Sequence, residues 1–168
     1  MSALEVLQSC LSQCKLLLSA IGVFDIQDSN LIIFDLENST PRLPHQMAFQ
    51  IPVLVKNRPC FRTVIDEGAS TCIMSIRCWR SLGSPTLNQS LKILKAFDGH
   101  RFHPFGILQD LPIGVEGKIV NLDVEVVDAP LDYNLLLGRS WSYAMTDVVS
   151  SVFQPIKFPH NGKIITID

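Results

Sequence analysis

Val64-Ile65-Asp66-Glu67-Gly68-Ala69-Ser70 decides the reading of this chain. An apolar, β-prone run meets an aspartate. A glycine that permits a tight turn follows, and then small residues. A carboxylate on such a turn is held by backbone amides, and a rigidly held carboxylate suits general acid–base chemistry. Asp-x-Gly alone is also a common turn, so the stretch gains meaning only from what surrounds it.

Outward from this loop the pattern is β. Residues 47–55 and 60–65 are apolar runs around Lys56-Asn57-Arg58-Pro59, which predicts a hairpin. Residues 72–74 resume a short strand, and 76–82 suggest a brief helix that Gly83 ends. Residues 91–97 and 101–108 flank Asp98-Gly99-His100, a strong turn signal for a second hairpin. A third joins 111–115 to 119–127 through Glu116-Gly117-Lys118. Within it Leu122, Val124 and Val126 alternate with Asp123 and Glu125, the mark of a half-buried strand with its acids in solvent. About seventy residues beyond Asp66, Leu135-Leu136-Leu137 is an apolar strand ending at Gly138, and 139–145 reads as a helix. The last hairpin pairs 148–158 with 163–167 and turns at Asn161-Gly162. At least eight short strands with one or two short helices predict a closed or folded-over sheet.

The N-terminal part differs. Leu4, Leu7, Leu11 and Leu18 recur at helical spacing, with Ser2 and Glu5 as a capping box, so residues 2–20 are expected to pack one helical face on the body. Asn38, Ser39, Thr40, Pro41 and Pro44 form the best linker, which divides the chain into a 1–40 extension and a 41–168 domain.

Composition narrows the function. With 47% hydrophobic and 18% charged residues the chain is globular. Its 14 Lys plus Arg against 16 Asp plus Glu give a net charge of −2, which argues against nucleic-acid binding. No apolar run is long enough for a membrane span, and the basic leader of a signal peptide is missing ahead of residues 16–24. Five cysteines without framework spacing read as reduced thiols, expected in the cytoplasm. Cys10 and Cys14 share a helical face as core thiols, and Cys72 and Cys78 are buried-thiol candidates near the loop. His100 and His103 fall on opposite faces of a strand, so no metal is expected. Trp79 and Trp141 serve as core or interface anchors. No cofactor-binding motif is present, and Gly-x-Ser-x-Gly is absent.

Four pieces in order carry a resemblance. They are Asp66-Glu67-Gly68-Ala69-Ser70-Thr71, Leu94-Lys95-Ala96-Phe97, the run from Leu135 through Gly138-Arg139 to Trp141, and Phe158-Pro159-His160-Asn161-Gly162-Lys163. Together they resemble the retropepsins, the aspartic proteases of retroviruses and long-terminal-repeat retrotransposons, and most of all those of plant Ty3/gypsy-type Gag-Pol polyproteins. The resemblance implies a mainly β, single-lobe, closed acid-protease barrel that dimerises, with Asp66 as the one catalytic carboxylate per chain. Because no second Asp-x-Gly of this kind occurs, a chain with half a dyad needs a second copy. The two carboxylates would share a proton, one activating water and the other polarising the peptide carbonyl. By the same resemblance Glu67, Gly68, Ala69 and Ser70 complete the catalytic loop. Asp98-Gly99-His100 is the flap tip, Leu137, Gly138 and Arg139 support the loop and the dimer, and the substrate is the chain's own polyprotein precursor.

Two positions depart from the family. Glu67 stands where Thr or Ser usually grips the partner loop, and Ser70 stands where an Asp usually anchors the Arg after the Leu-Gly pair. Glu67 is therefore expected to pair with Arg139, within one chain or across the dimer. The alternative to the endopeptidase is a catalytically silent dimer of the same fold that serves binding or assembly. The start at Met1 and the end inside a strand at Asp168 suggest a piece of a longer reading frame.

Overall fold

The computed structural model describes Ile32, Pro44 and residues 47–167 other than 97 and 151. The expected helix at 2–20, the linker apart from Pro44, and Cys10 and Cys14 lie outside the described residues.

Three hairpins use one local device, a two-residue turn in which both residues have positive φ, the geometry whose twist matches paired strands. Lys56 and Asn57 (φ 48° and 62°) join β1 (Gln50–Val55) to β2 (Arg58–Ile65). Glu116 and Gly117 (47° and 82°) join β6 (Gly106–Val115) to β7 (Lys118–Val127). Asn161 and Gly162 (51° and 72°) join β10 (Ile156–His160) to β11 (Lys163–Ile167). The first turn is two residues long, not four: Arg58 and Pro59 already belong to β2, opposite Val55 and Leu54.

Between these hairpins lie β3 (Cys72–Ser75), helix α1 (Ile76–Ser81), β4 (Leu94–Lys95), β5 (Arg101–Phe102), β8 (Leu135–Leu137), helix α2 (Arg139–Met145) and β9 (Val148–Val149). Ser75 caps α1 by accepting the Cys78 N–H at 3.2 Å. Six strands close a barrel in the order β1-β2-β8-β3-β7-β6; β9, β10 and β11 make a second sheet, and β4 and β5 a two-stranded ribbon. The barrel centre is filled by Val55, Met74, Ile113, Val124, Val126, Leu135 and Leu137. Trp141 and Met145 of α2 and Ile156 and Phe158 of β10 continue the same core. Their burial, about 25 cal/mol per Å² of apolar surface, is what holds short strands in a closed sheet. Among the described residues no helix is long and apolar enough to cross a membrane.

Three expectations need correction. Glu125 is fully buried, although the alternation put it in solvent with Asp123. The outer face of β7 is covered there by the segment that precedes the ribbon: Asn88 bridges Ile107, which is opposite Glu125, and Lys92 Nζ reaches Glu125 Oε1 at 3.4 Å. Residues 101–108 are not one strand. Pro104 lacks the N–H that would continue the ladder, so β5 stops at Phe102 and β6 starts at Gly106. Residues 148–158 likewise fold into a hairpin of their own, β9 against β10. Its turn is closed by Gln154 N–H donating to Ser150 O at 2.7 Å and by Gln154 at φ 63°.

Candidate active site

β8 threads between β2 and β3. It runs parallel to β2, with Thr63, Val64 and Ile65 beside Leu135, Leu136 and Leu137, and antiparallel to β3, with Ile73 opposite Leu136. The loop joining β2 to β3 is therefore laid across the end of β8, and that loop is 66–71.

The hydrogen bonds fix it at both ends. Asp66 N–H donates to Leu137 O at 3.0 Å, and Arg139 N–H donates to Ala69 O at 2.8 Å. Inside the loop Ala69 N–H donates to Asp66 O at 3.1 Å, and Gly68 N–H donates to Asp66 Oδ1 at 2.9 Å. Asp66 is exposed, as are Glu67, Gly68 and Ser70, while Thr71 and Cys72 behind them are buried. The result is a carboxylate presented to solvent on a backbone that cannot swing. The glycines have separate reasons. A side chain at Gly68 would press on Asp66 Oδ1 at 3.0 Å, and one at Gly138 would meet Thr71 O at 2.5 Å and Ala69 O at 2.7 Å. Gly138 N–H also points at Cys72 Sγ, 3.4 Å away.

Within one chain Arg139 reaches the loop through the loop's backbone. Its Nε donates to the backbone carbonyl of Glu67 at 3.3 Å, and among the described residues no ion pair joins the two side chains. The guanidinium thus steadies the loop through its backbone and leaves the Glu67 carboxylate uncommitted.

Two neighbours escaped the sequence reading. Tyr133 sits close enough to Asp66 that its phenol is pushed above its ordinary range, first by burial and then by the Asp66 charge. Asp147, just past α2, shares a hollow of about 260 Å³ with Glu67, Arg139 and Ser142. Burial, then the Glu67 charge, raises its carboxyl from 3.8 to about 6, against the pull of Ser142 and Lys118. Folded protein holds that proton more tightly than the unfolded chain does. The resulting stabilisation is full below about pH 3.8 and is lost as the pH rises through about 6. Solvent screening at this half-buried site reduces it to about 1 kcal/mol. Urea unfolding at about pH 4 and pH 7 is expected to show Asp147→Asn gaining about 1 kcal/mol on wild type at the higher pH. An equal difference at both would refute the assignment.

The turn Asp98-Gly99-His100 is organised separately. Ala96 N–H donates to His100 O at 2.8 Å, Gly99 N–H to Ala96 O at 2.9 Å, and His100 N–H to Asp98 Oδ1 at 2.9 Å, with Gly99 at φ 87°. Among the described residues no hydrogen bond or ion pair joins Asp98, Gly99 or His100 to the loop at 66–70. His100 stacks on Phe102 with ring centroids 6.4 Å apart. His100 and His103, expected on opposite faces, both border one cavity of about 590 Å³ against Val127 and Asp128, because strand geometry ends at Phe102. Among the described residues no group of three or more His, Cys, Asp or Glu is placed to hold a metal ion. Trp141 is wholly core, and Trp79 anchors α1 by donating from Nε1 to Pro85 O at 2.9 Å.

No protein-family model matches the sequence, and no curated protein matches it. Solved structures do match. The retroviral protease-like domain of Ddi1 from Leishmania major aligns with a TM-score of 0.53 at 14% identity, over 73% of this chain and 95% of that one. EIAV protease in an inhibitor complex gives 0.50 at 16% identity, over 71% and 99%. A retropepsin-like aspartic protease from Rickettsia conorii gives 0.50 at 21% identity, over 62% and 78%. With its closed six-stranded barrel and the loop at Asp66 laid across β8, the chain has the fold of the retropepsin-like aspartic proteases.

Proposed function

We propose that this chain is the aspartic endopeptidase domain of a retrotransposon polyprotein and acts as a homodimer. The observation that carries the reading is Asp66. It is exposed, held by the Gly68 amide and pinned through Leu137 and Arg139, in a fold otherwise filled with apolar side chains. One chain supplies one such carboxylate. Two chains related by a two-fold axis would bring the pair to a few Å, where like charges cannot both ionise and one proton is shared. The ionised Asp66 then takes a proton from water as that water attacks the peptide carbonyl. The protonated one donates to the carbonyl oxygen. The ribbon of β4 and β5 would close over substrate and exclude bulk water. The substrate class is extended polypeptide, with the chain's own Gag-Pol precursor the first candidate. The plant Ty3/gypsy-type origin rests on the ordered motifs quoted above, and reduced thiols suit work in the cytoplasm.

Glu67 sets the conditions. Two Glu67 carboxylates near the axis, each with Asp147 beside it, add negative charge next to the dyad. Mildly acidic pH removes part of it. The same residue favours the second reading, a silent dimer, since a carboxylate cannot reproduce the hydroxyl grip between loops.

The test is a digest of an unfolded protein mixture from about pH 4 to pH 7, read by mass spectrometry, with sedimentation on the same samples. Cleavage between apolar residues is expected, strongest at the acidic end. Below the dimer dissociation constant its rate should rise with the square of chain concentration. A sample shown to be dimeric that cuts nothing at any pH would leave the binding module as the function.

A further inference from the structure

Cys60 on β2 and Cys78 on α1 are 18 residues apart in the chain, and their sulfurs are 3.6 Å apart. Both are buried, at 5% and 7% exposure, yet both line a surface hollow of about 230 Å³ with Arg77, Ser81 and Asn134. The elements that carry them are tied together, since Arg58 Nη1 donates to Ser81 O at 3.2 Å. Cys72 has a different setting. It is fully buried and its sulfur faces Ser140 Oγ at 3.3 Å, with no thiol of the described residues beside it.

The two thiols are unequal. A hydrogen bond from Cys78 draws the Cys60 thiol below the ordinary range, helped by Thr63 Oγ1 at 3.7 Å. The same bond, with burial, pushes Cys78 up. Cys60 is therefore the thiolate of the pair, and Cys78 holds its proton until it is needed.

We propose that Cys60 and Cys78 form a peroxide-sensitive redox site that closes into a reversible disulfide between β2 and α1. The Cys60 sulfur attacks one oxygen of hydrogen peroxide and the O–O bond breaks. The hydroxide released takes up the proton that Cys60 had given up and becomes water, leaving Cys60 as a sulfenic acid. The Cys78 sulfur then attacks the Cys60 sulfur. The S–O bond breaks, and the hydroxyl departs as a second water with the Cys78 proton. Two thiols and one peroxide give one disulfide and two waters. The sulfurs, 3.6 Å apart, must close by about 1.5 Å to reach bonding distance. The ring so formed encloses 66–70, so oxidation restrains the segment that carries Asp66 without touching its carboxylate. The inference does not depend on Asp66 being catalytic.

The experiment treats the full chain under native conditions at neutral pH with a small excess of hydrogen peroxide and caps remaining thiols with N-ethylmaleimide. Non-reducing peptide maps follow. One cross-linked peptide pair through Cys60 and Cys78 is expected, two hydrogens lighter than the thiols and split again by dithiothreitol, with Cys72 still reduced. In Cys78→Ser, Cys60 should stop at the sulfenic acid and label with dimedone, whereas Cys60→Ser should leave Cys78 unlabelled. The proposal is overturned if wild-type Cys60 and Cys78 are both recovered as free thiols, if each is over-oxidised separately, or if the disulfide joins other cysteines or two chains. The wild-type map decides alone should either serine variant fail to fold.

Discussion

Asp66→Asn is expected to lower peptide-bond cleavage by about 10⁴-fold, with fold and dimerisation retained. General acid–base catalysis by a positioned group contributes about 10²–10⁴-fold, and in a homodimer the substitution removes both carboxylates at once, hence the upper end. The amide can neither accept a proton from water nor give one to the carbonyl oxygen. Structure should survive, because the Asn side-chain oxygen can still accept the Gly68 N–H now held by Asp66 Oδ1. The main-chain bonds to Leu137 and within the loop involve no side chain. Replacing the proton-sharing pair by two neutral amides takes net negative charge off the dimer axis and should leave the dimer no weaker than wild type at neutral pH. Tyr133 offers a local control. Part of its upward shift comes from the Asp66 charge, so its phenol should titrate lower in the variant, and ultraviolet absorbance would follow it. Peptide mass spectrometry gives the rate, and sedimentation gives the dimer. Cleavage that persists in Asp66→Asn at a tenth of the wild-type rate or more would remove Asp66 from the chemistry.

How much of this was legible in the chain depends on how local each cause is. Asn161-Gly162 and Glu116-Gly117 could be read because the turn demands positive φ from those residues themselves. Pro59 misled because prolines usually punctuate turns. Here it lies where β2 pairs with β1 alone, so its missing N–H costs no ladder bond. Asp66-Glu67-Gly68 and Leu137-Gly138-Arg139 could be picked out separately, but that the second lies behind the first follows from the strand order β2-β8-β3. Glu125 defeated the alternation rule because its cover comes from residues 88–92, far away in the chain. Tyr133, Asp147 and the Cys60–Cys78 contact are tertiary in the same sense: no period or motif joins them to their neighbours. The 14–21% identities say the same at the scale of the fold, since the barrel persists where little of the sequence does.

Gly138→Ala is expected to destabilise the protein by about 3 kcal/mol and to reduce any cleavage by about 10²-fold. The residue is extended, at φ −92° and ψ −168°, so the cost is not conformational strain. It is steric. The added methyl would lie 2.5 Å from Thr71 O, 2.7 Å from Ala69 O and 3.0 Å from Thr71 C, all main-chain atoms that no side-chain rotation can clear. Ala69 O is also the acceptor for Arg139 N–H at 2.8 Å, so moving it away breaks the bond that pins the far end of the loop. The relaxation runs toward Asp66, because Ala69 N–H is bonded to Asp66 O. A displacement of about 1 Å in a catalytic group is enough for the rate loss given. Gly162→Ala makes the contrast. There φ is 72° and nothing lies within 4 Å of the added carbon, so only left-handed backbone strain of about 1 kcal/mol is expected, with activity unchanged. Urea midpoints for the two variants, measured beside cleavage rates, separate packing from backbone preference. Equal midpoints for Gly138→Ala and wild type would mean that the loop does not press on the β8–α2 junction. The account of how Asp66 is held rigid would then fail with it.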